Sequence, residues 1–286
     1  GRGRPDSAPR RPPTAAERRS AEVKATRGPK VIKDRVAEPA PWEREQWVDD
    51  GPIRDAAVAA TARAASEEPA GRRRAPGELD PEAAAEVERE AGQQRSARYY
   101  ERLRSAAEAL ERGRFDDARR MVQPVLRDLP NVAMAHEVAG LAFYSTGQWR
   151  KAAAELELAR QLDHSVRHHA VLADCYRAMR RYDTAAELWN ELKGASPAPS
   201  LMAEGRIVAA GALADQGDLR GALKVMEPAR SVPKKVREHH LRQWYVIADL
   251  LDRSGEIIEA RRYFALVAQV DAEFADVMQR LAGLGR

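Results

Sequence analysis

Histidine is the first residue type to weigh for chemistry, because an imidazole ligates metals and exchanges protons near neutral pH. Five of the six histidines cluster, as His164, His168–His169 and His239–His240. His164 and His168 stand four apart, a spacing that can bring two ligands to one face of a helix. A third ligand would have to be Asp163 or Asp174, and no cysteine completes a set, so no metal site is expected. At repeat junctions such histidines are ordinarily solvated or cap helices. Cys175, the one cysteine, stands beside Tyr176 and reads as a buried structural thiol. There is no Ser/His/Asp motif, glycine-rich phosphate loop or zincin sequence, so neither catalysis nor a cofactor is expected.

Tryptophan and arginine offer binding chemistry instead. Residues 41–54 are acidic and hold Trp42 and Trp47, two of the five tryptophans. With Ile53 they form a candidate docking motif, which would bind a partner or fold back on the rest of the chain. Residues 1–40 carry eleven Lys/Arg against five Asp/Glu, a net +6 in a chain of net +4. This basic tail and Arg72–Arg74 could touch nucleic acid through phosphates, without sequence preference. No recognised RNA-binding signature accompanies them. Forty of the 48 basic residues are arginine, which points to a GC-rich, bacterial genome.

The elements that must position these residues are helices. Hydrophobic residues make up 44% of the 286 and aromatics only 6%, so the apolar share is largely aliphatic and rich in alanine, the best helix former. No sustained period-2 alternation marks a strand. Residues 1–77, Pro- and Arg-rich with few large apolar side chains, read as a disordered tail, with a short helix expected over Asp55–Ala65. Residues 78–286 read as the folded body. Asp80 suits a helix N-cap and Pro81 the first helical position. No run of 18 apolar residues occurs and the start lacks the apolar core of a secretory leader, so a cytoplasmic location without a membrane span is expected.

One short pattern recurs along the body: a turn residue, a spacer, a large apolar residue, two spacers, then alanine. It appears at Gly113–Ala118, Gly147–Ala152, Arg180–Ala185, Gly217–Ala222 and Gly255–Ala260, with the alanines 34, 33, 37 and 38 residues apart. Glycine would end one helix in the left-handed conformation. The large apolar residue (Phe115, Trp149, Tyr182, Leu219, Ile257) would plug the gap between paired helices, and the alanine would let them approach. Arg180 stands where glycine is wanted, so that turn needs another solution.

Over residues 97–272 this period and pattern resemble the tetratricopeptide repeat. The second repeat offers Ala139–Gly140, Phe143, Ala152 and Leu156; the third Leu172–Ala173, Tyr176, Ala185 and Trp189; the fifth Trp244, Ile247–Ala248, Leu251, Ala260 and Phe264. Arg102, His136, His169 and Arg206 stand where the family has an aromatic. The resemblance implies an all-α, right-handed solenoid of about five helix pairs, over 99–132, 133–165, 166–199, 203–236 and 241–272. Residues 81–96 would cap the N-terminal end or extend the first helix, and 273–286 would cap the other. Phe274, Val277, Met278 and Leu281 have the spacing of one helical face. Longer connections are expected around 194–202 and 228–236, which hold Pro197, Pro199, Pro228 and Pro233.

In this family the first helices line a concave groove that takes a peptide or helix of a partner. Carried over by position, the groove is Glu137, Leu141 and Tyr144; Arg167, Ala170, Asp174 and Arg177; Glu204, Ile207 and Asp215; and Arg242, Tyr245, Asp249 and Arg253. The first helices lack the Lys/Asn set of family members that clamp chaperone C-termini. The expected function is a non-catalytic protein–protein adaptor. The alternatives are an RNA- or ribonucleoprotein-associated protein acting through its tail, and an accessory subunit of an enzyme complex.

Overall fold

The structure is a computed structural model that describes Leu79 and residues 81–285. The 1–77 tail lies outside the described residues, and with it the motif of Trp42, Trp47 and Ile53, the Asp55–Ala65 helix, Arg72–Arg74 and the expected cap Asp80. The described residues are helical without a strand: α1 (Pro81–Ala91), α2 (Gln93–Glu111), α3 (Phe115–Asp128), α4 (Ala133–Ser145), α5 (Trp149–Asp163), α6 (His169–Ala178), α7 (Tyr182–Ala195), α8 (Pro199–Asp215), α9 (Leu219–Met226), α10 (Glu238–Arg253), α11 (Ile257–Val270) and α12 (Val277–Gly283). Among them no helix is long and apolar enough to cross a membrane.

The recurring sequence pattern becomes a recurring hydrogen-bond pattern. Gly113, Gly147, Gly217 and Gly255 have φ of 70°, 71°, 85° and 83°, and Arg180 has φ 59°. At each turn this residue bonds back three residues and its successor bonds back five, as in Gly147 N–H to Tyr144 O and Gln148 N–H to Phe143 O. Arg180 N–H to Arg177 O and Arg181 N–H to Tyr176 O repeat it. This six-residue closure satisfies carbonyls that a helix end leaves without partners. Arg180 therefore makes the same turn as the glycines, held in a conformation that is strained for a residue with a Cβ.

Each turn leads directly into the first residue of the next helix, and the pattern's alanine lies on the packed face. Ala118, Ala152, Ala185, Ala222 and Ala260 are all buried. The large apolar residues sit at the first helical position, where Phe115, Trp149, Tyr182 and Leu219 are half-buried. Ile257 departs from the plugging role, being 41% exposed. The helices pack in chain order: α2 on α3, α4 on α5, α6 on α7, α8 on α9 and α10 on α11, with α2 also meeting α4, α6 meeting α8, and α8 meeting α10.

The ends differ from expectation in detail. Residues 81–96 are divided between two helices, because Gly92 (φ 72°) ends α1 and Gln93 begins α2. The C-terminal helix is shorter than expected, since Ala275 (φ 47°) interrupts it and α12 starts at Val277. Val277 is buried and Phe274 and Leu281 pack on the adjoining core, but Met278 is 54% exposed, outside the expected face. The connection around 194–202 is also short. Only residues 196–198 separate α7 from α8, whose first helical position takes Pro199.

Candidate functional site

Where the first-member helices α4, α6, α8 and α10 meet, their acids and arginines face one another. Arg167 Nη2 lies 2.7 Å from Asp163 and 3.5 Å from Glu137, and His168 Nε2 lies 3.5 Å from Glu137. Tyr144 donates its hydroxyl proton to Asp174 Oδ2 at 2.7 Å. Arg177 donates to Asp174 Oδ1 at 2.7 Å and, through Nε, to Asp215 Oδ2 at 2.8 Å, joining α6 to α8. Arg242 grips Glu204 with two parallel bonds of 2.8 and 2.7 Å, joining α8 to α10. Asp249 accepts from Arg280 and lies 3.8 Å from Arg253, while Tyr245 donates to Asp276. Gly211 makes one of these contacts possible, because a Cβ there would lie 3.1 Å from Arg177 Nη1.

Burial and pairing compete along this seam. Burial raises the Glu204 carboxyl above its ordinary value despite the opposing charge and hydrogen bonds of Arg242. Asp249 is raised by burial in the same way, against Arg280 and Arg253. At Glu137 burial acts upward too, but the charge and contact of His168, with Arg167, overcome it and hold the group at about 2.

The seam changes the assignment of the expected groove residues. Leu141, Tyr144, Ile207 and Tyr245 belong to the apolar core and Ala170 is buried with them, so these side chains do not offer a free surface. Asp174, Arg177, Glu204, Arg242 and Asp249 are buried; Asp174 pairs with Arg177 of its own helix, and the others also meet an opposite charge on a neighbouring helix or segment of the same chain. A buried charge needs such a partner, and contact between helices supplies it. Glu137, Arg167, Asp215 and Arg253 remain half-buried and within reach of a partner.

Of the junction histidines, His164 is exposed and caps α5 and His240 accepts the Arg237 N–H at the start of α10, as expected, whereas His168 and His169 differ. His164 ends α5 with φ 53°, so its spacing to His168 is not helical. His168 and His169 are buried, and His169 Nε2 bonds Glu191 at 2.9 Å. His136 is buried between Glu155 Oε2, at 2.7 Å, and Pro130 O, at 2.9 Å. His136, His169 and Trp244 each stand sixteen residues before a pattern alanine, where they fill the packed interior. Trp244 donates its indole N–H to Ala229 O at 3.1 Å. Cys175 is buried and free, and burial pushes its thiol well up.

Arg206 occupies the same position in α8 and departs from that behaviour. It donates through Nη1 to Gln243 Oε1 at 2.7 Å, and no carboxylate among the described residues pairs with it. Burial lowers its pKa. It lines a cleft of about 350 Å³ between the start of α8, residues 228–233 and the start of α10, walled by Pro197, Pro199, Pro228, Pro233 and Met202. Sequence reasoning passed over this cleft. The available signal was an arginine where related positions carry His136, His169 and Trp244. No family model matches the sequence, and no curated protein matches it.

Proposed function

We propose that the chain is a non-catalytic adaptor: a solenoid of about five tetratricopeptide-like helix pairs, presenting the line of its first helices to a peptide or helix of a partner protein. The observation that carries it is the recurrence of one helix-ending turn at Gly113, Gly147, Arg180, Gly217 and Gly255, each followed at once by a helix whose alanine is buried. Stacked helix pairs of this kind extend a surface one unit at a time, and groove recognition uses spaced anchors along such a surface. The half-buried Glu137, Arg167 and Arg253 are the accessible charges of that line. Arg177 and Arg242 act inside it as ties between helices.

The test is recovery of partners on the tagged full-length chain from native cells, with and without nuclease. Recovery of one protein despite nuclease, reduced by Arg167→Glu or Arg253→Glu at unchanged helix content, is the expected result. Recovery that vanishes with nuclease and falls steeply with salt would replace the adaptor by an RNA-associated role for the tail. Stoichiometric recovery of an enzyme would make the chain its accessory subunit.

A further inference from the structure

The cleft beside Arg206 holds none of the residues assigned to the groove, and its chemistry differs from theirs. Arg206 is half-buried, and burial lowers its pKa. A guanidinium carries five N–H donors, and burial penalises its charge unless an anion meets it. Along the seam that condition is met: Arg167, Arg177, Arg242 and Arg280 each face a carboxylate. Arg206 has the neutral Gln243 Oε1 instead, at 2.7 Å, and no carboxylate among the described residues. Gln243 is buried and gives its amide N–H to His239 O at 3.2 Å. Both ends of its side chain are thus engaged, which holds the guanidinium in place. Among the described residues no carboxylate lines the cleft, and His240 adds a donor to it. The His240 Nδ1 accepts the Arg237 N–H, so the proton of the neutral ring sits on Nε2.

The remaining wall is apolar. Pro197, Pro199, Pro228 and Pro233 contribute rings, and Met202 a thioether that packs well on aromatic groups. Proline fixes φ, so these walls are stiff, and a stiff site loses little ordering entropy when it is filled. About 350 Å³ is at the small end of ligand sites, room for one ring-bearing molecule rather than a run of peptide. We propose that this cleft, between the starts of α8 and α10, binds a small organic acid, with its carboxylate on Arg206 and its aromatic or aliphatic body between the prolines. A planar carboxylate matches the guanidinium fork with two parallel bonds. Inorganic phosphate has no apolar body and would leave the proline faces without a partner. A bound acid would join α8, which carries Arg206, to α10, which carries His240. The site is separate from the groove and does not depend on what the groove takes.

The test is NMR titration of the full-length chain with isotope-labelled methionine methyl groups. Met202 lines this cleft, while Met179 lines the cleft beside Tyr176 and serves as the internal control. Met202→Leu identifies the Met202 signal by its loss. The probes are hydrocinnamate, its uncharged amide of the same shape, inorganic phosphate, and acetyl-Ala-Ala-Phe, a peptide end with the same ring and carboxylate. Hydrocinnamate is expected to shift Met202 saturably and leave Met179 in place. It should bind at least five-fold more tightly than the amide or the peptide, and phosphate should shift neither signal. Arg206→Gln, with helix content unchanged by circular dichroism, should weaken hydrocinnamate at least five-fold, and the acid–amide comparison stands without that variant. Equal binding of acid and amide, no saturable shift at Met202, an equal shift at Met179, a response to phosphate, tighter binding of the peptide, or indifference to Arg206→Gln would each overturn the proposal.

Discussion

Arg242→Met removes a guanidinium from Glu204, a carboxylate that is 2% exposed and gripped by two bonds of 2.8 and 2.7 Å. Burial has already raised the Glu204 carboxyl with Arg242 in place, so without it the charge has no adequate compensation. Breaking a buried pair by removing one partner destabilises by about 3–5 kcal/mol, a large share of the roughly 5–15 kcal/mol that stabilises a folded domain. With a urea slope of about 2 kcal/mol/M, the midpoint falls by roughly 1.5–2.5 M at pH 7. Glu204→Met with Arg242→Met should behave differently. Exchanging both members for apolar side chains removes the desolvation penalty together with the attraction, and such exchanges are commonly neutral or stabilising. The double variant is expected within about 1.5 kcal/mol of the parent. The assay is urea unfolding followed by circular dichroism at 222 nm for the parent, both single variants and the double variant. A loss below about 1 kcal/mol for Arg242→Met is what an exposed ion pair gives. That result, or a double variant as unstable as the sum of the singles, would refute the description of this pair as a buried tie between α8 and α10.

Arg180→Gly relieves a left-handed strain of roughly 1–2 kcal/mol but admits a freer unfolded chain, so a net gain of about 0.5–1 kcal/mol is expected, seen as a rise in Tm. Gly205→Ala should destabilise by about 1–2 kcal/mol despite better helix propensity, because its Cβ would meet Leu192 Cδ2 at 2.3 Å with the Trp189 ring 3.1 Å away. Gly194→Ala, whose Cβ meets nothing within 4 Å, should gain up to about 1 kcal/mol in the same melts. Glu137 is held at about 2, below its ordinary 4.5, so its contribution is present above pH 4.5 and fades as pH falls toward 2. Glu137→Gln should lower stability and flatten the acid limb of a stability–pH curve. The raised carboxyls of Glu204 and Asp249 have the opposite sign, gaining stability as pH falls from neutral.

Local signals were legible from the residues alone. The helices, their boundaries near the pattern glycines and the burial of Ala118, Ala152, Ala185, Ala222 and Ala260 follow from backbone freedom and side-chain size within six consecutive residues. The burial of Cys175 was legible as well, since a lone cysteine is by default a small buried apolar residue. The fate of the charges was not. Carried over by position from the family resemblance, Asp174, Arg177, Glu204 and Arg242 are expected to line an open groove. Tertiary packing instead placed Asp215 beside Arg177 and Glu204 beside Arg242, each 38 residues away in the chain, so these arginines became buried ties, with Asp174 held by Arg177 of its own helix and by Tyr144. The same packing gave His136 and His169 carboxylates on the following helix and left Arg206 with none. Whether a polar side chain is buried depends on the partner that another helix brings to it, and that partner is set by how the helices stack.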